Sequence, residues 1–265
     1  MKRSLFALRE PLPRSVGLVL GLVLPVVVLT IWCVASYGGF APPDFLPSPT
    51  EVVRGTLQLF IQYDLLGAIW VSARRIMLAF LLASAVALPL GVLMGAFEPI
   101  NRMFEPIVSP LRYMPISAFI PLLILWFGIY ESQKVAFLFL GVFVYLLPVV
   151  ISSIRAVPEE LVQTSLTLGA SRWQAVTTVL LPSALPEIFD SFRVMNAISW
   201  TYVILAEAVN PGQGGLGYIV QLAYQHQKAS WSFAGLLVIG GIGLLTDSMI
   251  RAASRLLFRW RETAV

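Results

Sequence analysis

Side chains able to perform covalent or metal chemistry are scarce in this chain. Its single histidine, His226, excludes a His-Glu-x-x-His zinc site, and its single cysteine, Cys33, excludes an internal disulfide and a thiolate metal cage. No Gly-x4-Gly-Lys-Ser/Thr sequence occurs, so the usual phosphate loop for ATP is absent. The sequence therefore predicts no catalytic residue, no metal site, no cofactor bound by this chain, and no enzyme.

A few charged residues border long apolar runs, where a charge at the centre of a bilayer would cost about 2.5–3.5 kcal/mol. Such charges are usually paired or functional. Arg74 and Arg75 begin one run, and they either anchor it at the membrane surface or line a solute path. Glu207 ends another run, just before a glycine-rich stretch, where it could pair with an arginine and hold an outer gate. The candidate path or gate residues are Arg74, Glu207, Gly215, Gly217 and Tyr218.

Two further polar positions have simpler interpretations. Asp247 and Arg251 are four residues apart, so we expect an ion pair along one helix. His226 stands in a polar stretch and is expected to be solvated. Gly212 and Gly214 belong with Gly215 and Gly217 to the segment in which the backbone has to turn tightly.

The composition indicates an all-α integral membrane protein. The 265 residues are 58% hydrophobic and 12% charged, with a mean hydropathy of +0.83. No soluble domain needs so much apolar sequence. The net charge of +4 is explained by membrane topology and requires no nucleic acid.

Six membrane spans are predicted, each of about 20 apolar residues. Their ranges are 16–37, 69–97, 107–129, 135–154, 188–209 and 233–250. Prolines inside several spans are expected to kink them without breaking them. We interpret the first run as an uncleaved anchor rather than a signal peptide.

The predicted domains follow from these spans. They are a basic tail (1–14), an N-terminal helix (15–37), a periplasmic connection with an interfacial helix opened by Ser48-Pro49-Thr50-Glu51 (38–65), a membrane core (66–254) and a second tail (255–265). In the second span, Ala83, Ala87, Gly91 and Gly95 form a small-residue stripe, which indicates close helix packing within the subunit or across a dimer.

Charge asymmetry predicts the orientation. An inside N-terminus leaves Arg54, Arg74, Arg75, Lys134 and Lys228 outside and the other 13 of 18 lysines and arginines inside. The positive-inside rule then places both termini in the cytoplasm.

The polar segment between the fourth and fifth spans predicts two short helices. Pro158 and the acids after it favour a helix start, Gly169 suits a left-handed turn, and Ser171 with Gln174 forms a capping box. Pro182 is expected to stop the second helix. Apolar residues lie on more than one face of the pair, so one face needs a partner.

This segment resembles the cytoplasmic loop of ABC importer permeases, which carries Glu-Ala-Ala, three residues, Gly, nine residues and Ile-x-Leu-Pro. Here Gln163-Thr164-Ser165 replaces the triplet, Gly169 follows, and 179–182 read Val-Leu-Leu-Pro. The segments 115–128, 206–218 and 247–260 are similar to further marks of permeases for sulfonate, taurine and nitrate. The resemblance implies that residues 157–182 dock on an ATPase, through Glu160, Gln163, Thr164, Ser165, Leu168, Gly169, Ala170, Trp173, Leu181 and Pro182.

The resemblance also implies the chain's partners and location. They are an ABC ATPase dimer that binds ATP and Mg²⁺, a second copy of this permease, an extracytoplasmic solute-binding protein and the lipid of a bacterial inner membrane. We therefore expect the membrane subunit of an ATP-driven importer of a small anion. The alternative is a secondary transporter or channel that works without an ATPase.

Overall fold

Helices make up the structure, a computed structural model that describes residues 13–209 and 214–259, with the side chain of Arg14 left out. The predicted tails 1–12 and 260–265 and Gly212 lie outside the described residues. The helices are α1 (Arg14–Tyr37), α2 (Pro49–Gln62), α3 (Leu65–Ala96), α4 (Glu98–Leu111), α5 (Ile120–Phe127), α6 (Glu131–Arg155), α7 (Glu159–Thr167), α8 (Arg172–Ala175), α9 (Leu181–Ala208), α10 (Leu216–Gln225) and α11 (Ala229–Leu257). No strand occurs in these described ranges, so the all-α prediction is confirmed.

Helix α2 begins as the sequence predicts, with a complete capping box. The Ser48 hydroxyl accepts from the Glu51 backbone N–H, and the Ser48 backbone N–H donates to Glu51 Oε2 at 2.7 Å. The Ser48 backbone N–H and, at 2.9 Å, the Ser48 hydroxyl both donate to Glu51 Oε2, and these two hydrogen bonds lower the pKa of the Glu51 carboxyl. The buried face of α2 packs on α11, where Gly55 lies against Trp231.

The small-residue stripe of α3 packs inside the subunit, against α6. Ala83 and Ala87 are fully buried, and a Cβ added at Gly91 would lie 2.7 Å from Val150. Gly95 approaches Ile154 equally closely. The stripe therefore allows two long helices to touch through their backbones, and it settles the alternative left open by the sequence in favour of packing within the subunit.

Substituting Gly91→Ala is expected to destabilise the fold by about 1–3 kcal/mol, because the added methyl overpacks the α3–α6 contact. The thermal unfolding midpoint in detergent measures the effect. Gly21→Ala in α1 is the matched control, since a Cβ at Gly21 meets no atom within 4 Å. Equal midpoints for the two variants would show that the contact is not tight.

The predicted third span, 107–129, is wrong as a single helix. α4 and α5 are bent by 92° at a break after Leu111, with a short 3-10 turn at Ile116–Phe119. Pro115 cannot continue the α4 hydrogen-bond ladder and disfavours helical geometry at the residue before it. The prolines here break the segment where the sequence suggested only a kink.

Fewer helices than the predicted six meet the length and hydropathy criteria for a membrane span. Within residues 13–209 and 214–259, four helices meet those criteria, α1, α3, α6 and α11, and the bent pair α4–α5 makes a fifth if it is counted as one span. α9 is long enough at 28 residues, but Asp190, Arg193 and Asn196 make it less apolar. A sixth span through α9 stays a prediction.

Candidate functional site

The first candidate site is the segment 157–182, here called the elbow, which joins α6 to α9. Pro158 stands one position before α7 rather than inside it, with an extended ψ of 129°. Glu159 and Glu160 occupy the first turn, where the helix dipole favours negative charge. The end of the bundle that carries the elbow is called the elbow end below, and the other the opposite end.

The turn of the elbow is fixed by backbone geometry. Gly169 has φ +92°, as its position after α7 predicts. Its N–H donates to Leu166 O at 3.0 Å, and the Ala170 N–H donates to Ser165 O at 3.0 Å, which is a Schellman motif. The Ser171–Gln174 capping box then opens α8. Both helix ends at the turn are therefore hydrogen-bonded without any outside partner.

Pro182 does not stop the second helix, contrary to the sequence prediction. α8 passes through a π-helical turn at Val176–Leu180 directly into α9. Pro182 sits in the first turn of α9, where its missing N–H costs little because the π turn has already changed the hydrogen-bond pattern. The elbow is consequently continuous with a 28-residue helix that runs to the opposite end.

The elbow has one anchored face and one free face. Ala175 and Val176 are buried, and Val176 belongs to the same apolar cluster as Ile154. None of the nine residues of α7 is buried. The exposed apolar side chains of the elbow are Leu161, Leu166, Leu168 and Trp173. Leu168 is 83% exposed and Trp173 57%.

The structure brings the predicted elbow residues together on this short motif. Gln163 donates from Nε2 to Glu159 Oε1 at 2.7 Å, and Ser165 donates to Val162 O at 2.7 Å. Glu160, Gln163, Thr164, Leu168, Gly169, Trp173 and Pro182 are exposed, whereas Ser165, Ala170 and Leu181 are half-buried.

The second candidate site is a buried ion network at the opposite end, centred on Glu207 of α9. Glu207 is fully buried, and its Oε1 accepts from Arg75 Nη1 and Ser72 Oγ, both at 2.7 Å. Its Oε2 accepts from the backbone N–H of Gly217 at 2.8 Å. The Leu216 N–H donates to Ser72 Oγ at 2.9 Å. Glu207 and Ser72 thus satisfy two N–H groups at the start of α10, which otherwise lack partners.

Arg75 joins three elements in this network. Besides Glu207, its guanidinium contacts both carboxylate oxygens of Glu131 at the start of α6, with Nε at 2.8 Å from Oε2. Nη1 also donates to Gly214 O at 2.9 Å. The Arg75 side chain is only 1% exposed, so burial of the charge is compensated by two acids and a carbonyl.

The glycines before α10 make the approach to Glu207 possible. Gly215 has φ +107°, and a Cβ there would collide with the Glu207 carboxylate. A Cβ at Gly217 would lie 2.5 Å from Glu207 Cβ. Tyr218 is half-buried and packs on the surrounding apolar cluster. Glu207, Gly215, Gly217 and Tyr218 are therefore brought together as the sequence suggested.

Arg74 lies at the edge of this network, not in it. Its side chain is 53% exposed, and Nη2 is 3.8 Å from Glu131 Oε2. The residues of the network that sequence reasoning left out of the candidate site are Ser72, Arg75 and Glu131.

The predicted Asp247–Arg251 pair is confirmed, and it has a third member. Arg251 Nη2 lies 2.7 Å from Asp247 Oδ2, and Arg193 Nε of α9 lies 2.7 Å from Asp247 Oδ1. This triad connects α9 to α11 near the elbow end. His226 is exposed, as expected.

Metal-binding geometry is lacking in the described part of the chain, where no three His, Cys, Asp or Glu residues lie close enough to hold an ion.

Comparison with known proteins assigns the family. Residues 87–259 match the family of the binding-protein-dependent transport system inner membrane component. The chain is a permease subunit of this family. The permease is 32% identical over 255 residues to SsuC of Bacillus subtilis, a protein named for the transport of aliphatic sulfonates, covering 96% of this chain and 92% of that protein. It is also 32% identical over 257 residues to the taurine transport system permease protein TauC of Escherichia coli, covering 95% of this chain and 92% of that protein.

Solved structures confirm the fold of the permease. A chain of the MetNI methionine ABC transporter, in an inward-facing conformation, superposes with a TM-score of 0.63 at 23% identity, covering 75% of this chain and 96% of that chain.

Membership of the family decides between the functions left open by the sequence. The permease is the membrane subunit of a binding-protein-dependent ABC importer, and ATP hydrolysis belongs to a separate subunit. The secondary transporter or channel alternative is therefore not supported. Bound ATP is expected on the partner ATPase, in agreement with the missing phosphate loop.

Proposed function

We propose that the permease imports a small anion such as a sulfonate, taurine or nitrate, as one half of a homodimer that an ATPase dimer moves through the elbow. ATP and Mg²⁺ bind the ATPases, and an extracytoplasmic solute-binding protein delivers the solute to the opposite end. The names of SsuC and TauC support the choice of solute.

The observation that carries the proposal is the exposed apolar face of the elbow. Apolar side chains on a membrane helix can face lipid, but Leu168 and Trp173 stand on a short, capped motif among polar residues. Such a patch marks a surface that a protein partner covers. An ATPase gripping this face would move α9 directly, because the elbow continues into that helix.

The orientation proposed places the elbow and both termini in the cytoplasm. The positive-inside rule supports this placement, since 13 of the 18 lysines and arginines then lie inside. In the proposed domain organisation, 1–14 and 255–265 are cytoplasmic tails, 15–37 is an N-terminal membrane helix, 38–65 is a periplasmic connection and 66–254 is the core. The exposed face of α2 would rest at the outer surface of the bacterial inner membrane.

A second copy completes the passage in this proposal. One chain supplies few spanning helices, and a twofold axis between two copies is the commonest way to complete such an assembly. The solute path would follow that axis. ATP binding would close the ATPase dimer and turn the passage outward, and hydrolysis would reset it, which requires two discrete packings biased by the nucleotide.

The buried ion network is proposed to hold the outer gate. Glu207 fixes the start of α10 to α9, and Arg75 ties that point to α3 and α6. Arg74, on the exposed side of α3, would meet solute or headgroups rather than α10. α10 would then move with α9 when the elbow moves.

The solute assignment is tested by uptake into proteoliposomes that contain the permease, its ATPase and internal ATP, with the binding protein outside. Labelled taurine is expected to accumulate, and excess unlabelled ethanesulfonate or nitrate to compete, because all three present an oxyanion. Choline, a small cation without an oxyanion, serves as the control. Accumulation of choline but of none of the anions would contradict the assignment.

A further inference from the structure

A cavity of about 210 Å³ lies between α4 and α6 near the elbow end. Its polar lining includes Glu105, Ser109 and Arg112 from α4, and Ser152 and Arg155 from α6. The α4 members are spaced by four and three residues, so they occupy one face of that helix. A second cavity shares Glu105 and Ser109 with the first and is also lined by Arg102 and Tyr113.

This polar face belongs to α4, which forms a candidate membrane span only together with α5. α4 and α5 pass the length and hydropathy criteria only as a pair. Charged side chains within such a segment normally face the bundle interior or a water-filled cavity. Glu105 and Arg112 are both exposed, so the face of α4 that carries them is open to water, on the side that the proposed orientation places in the cytoplasm.

Two opposite charges line this cavity without neutralising each other. Glu105 accepts a hydrogen bond from Asn101 Nδ2 at 2.8 Å, and Arg112 donates to Ser109 Oγ at 3.3 Å. Among the described residues, neither side chain has an ion-pair partner within 4 Å, whereas the neighbouring Arg102 and Arg155 both pair with Glu98. Asn101 is buried and holds the Glu105 carboxylate in place.

We propose that the cavity binds a small zwitterion, with Arg112 receiving its oxyanion and Glu105 its ammonium group. A zwitterion satisfies both charges at once, whereas a simple anion pairs with Arg112 alone and a simple cation with Glu105 alone, so each binds more weakly. The proposal rests on the proposed function, because taurine, a sulfonate that carries an amine, is the solute in question. It adds a binding site on this chain and a preference for solutes that carry both charges.

The position of the cavity connects it to the moving part of the molecule. Arg155, one of its lining residues, is the last residue of α6 before the elbow. A displacement of the elbow changes the wall of the cavity. The site is therefore expected to hold the zwitterion in one state of the cycle and release it in the other.

Equilibrium binding of labelled taurine to the purified permease–ATPase complex, without the binding protein, tests the site. Glu105→Gln and Arg112→Gln are each expected to weaken taurine binding by about tenfold or more, since each removes one charge-assisted contact. Arg102→Gln is the matched control, because Arg102 is on the same helix but does not line this cavity. The taurine affinity of the Arg102→Gln variant is expected to stay within about twofold of that of the unmodified protein.

Ethanesulfonate, which lacks the amine, separates the two roles. Glu105→Gln is expected to leave ethanesulfonate binding unchanged or stronger, whereas Arg112→Gln weakens it as it weakens taurine. Taurine binding that is absent, or that neither variant alters, overturns the site. If the unmodified permease takes up sulfonates in the assay above but neither substitution alters taurine binding, the site is wrong and the proposed function stands. If no sulfonate is taken up in that assay, the proposed function itself is wrong. Size-exclusion profiles establish that each variant is folded.

Discussion

Substitution of Gly169→Pro is expected to abolish ATP-dependent uptake while the permease still reaches the membrane. Proline fixes φ near −65° and cannot adopt the φ of +92° at this position. It also lacks the N–H that donates to Leu166 O. The change reshapes the elbow without touching the helix core, because a Cβ at Gly169 meets no atom within 4 Å.

The measurement is co-purification of the ATPase together with uptake, and a second variant protects against a folding artefact. Leu168→Asp adds a charge to the exposed apolar face without altering the turn. Loss of a central apolar contact at an interface costs about 2 kcal/mol or more, so ATPase affinity is expected to fall at least about thirtyfold. Phe45→Asp is the matched control, since Phe45 is 79% exposed but lies in the connection before α2. If both elbow variants keep normal uptake, the elbow is not where the ATPase acts.

The second large effect is expected at the buried ion network. Arg75→Ala leaves Glu207 buried without its cation, and breaking a buried pair in this way costs about 3–5 kcal/mol. The thermal unfolding midpoint in detergent should fall sharply, and uptake should be lost with it. Glu207→Gln should do less harm, because the amide can still accept from the Gly217 N–H.

Arg74→Ala is the control that makes this prediction specific. Arg74→Ala removes the same charge from the adjacent residue. The Arg74 side chain is 53% exposed, and its Nη2 is as far as 3.8 Å from Glu131 Oε2, so the ion pair is weak. Exposed ion pairs contribute little to stability, so the midpoint should hardly change. Equal losses in the two arginine variants would mean that total charge matters and the buried geometry does not.

Local patterns in the sequence predicted the elbow well. Gly169 and the Ser171–Gln174 box act over a few residues, and the structure has both as expected. The prediction that Pro182 ends the second helix is wrong. The sequence alone does not distinguish a proline that ends a helix from one in the first turn of the next helix. The π turn before it depends on how α9 packs, which no local pattern reveals.

The break between α4 and α5 was missed for a similar reason. Proline in an apolar run is compatible with a kink or a break, and only the surrounding helices decide between them. The resulting 92° bend is what gives α4 its separate polar face.

The sequence could not decide between Arg74 and Arg75. Steps of four residues drift around a helix by about 40° each, so the stripe that ends at Gly95 does not fix which arginine faces inward. The structure buries Arg75 and leaves the Arg74 side chain 53% exposed. The partners of Arg75 could not be predicted either, because Glu131 and Glu207 lie 56 and 132 residues away in sequence.

In the proposed mechanism, the permease binds no nucleotide and moves only when an ATPase pulls on its elbow. Uptake of labelled taurine into proteoliposomes, with and without the ATPase, is the direct test of this mechanism. We expect accumulation only when ATPase, internal ATP and binding protein are all present, and none with Leu168→Asp. Accumulation against a gradient by the purified permease alone would contradict it.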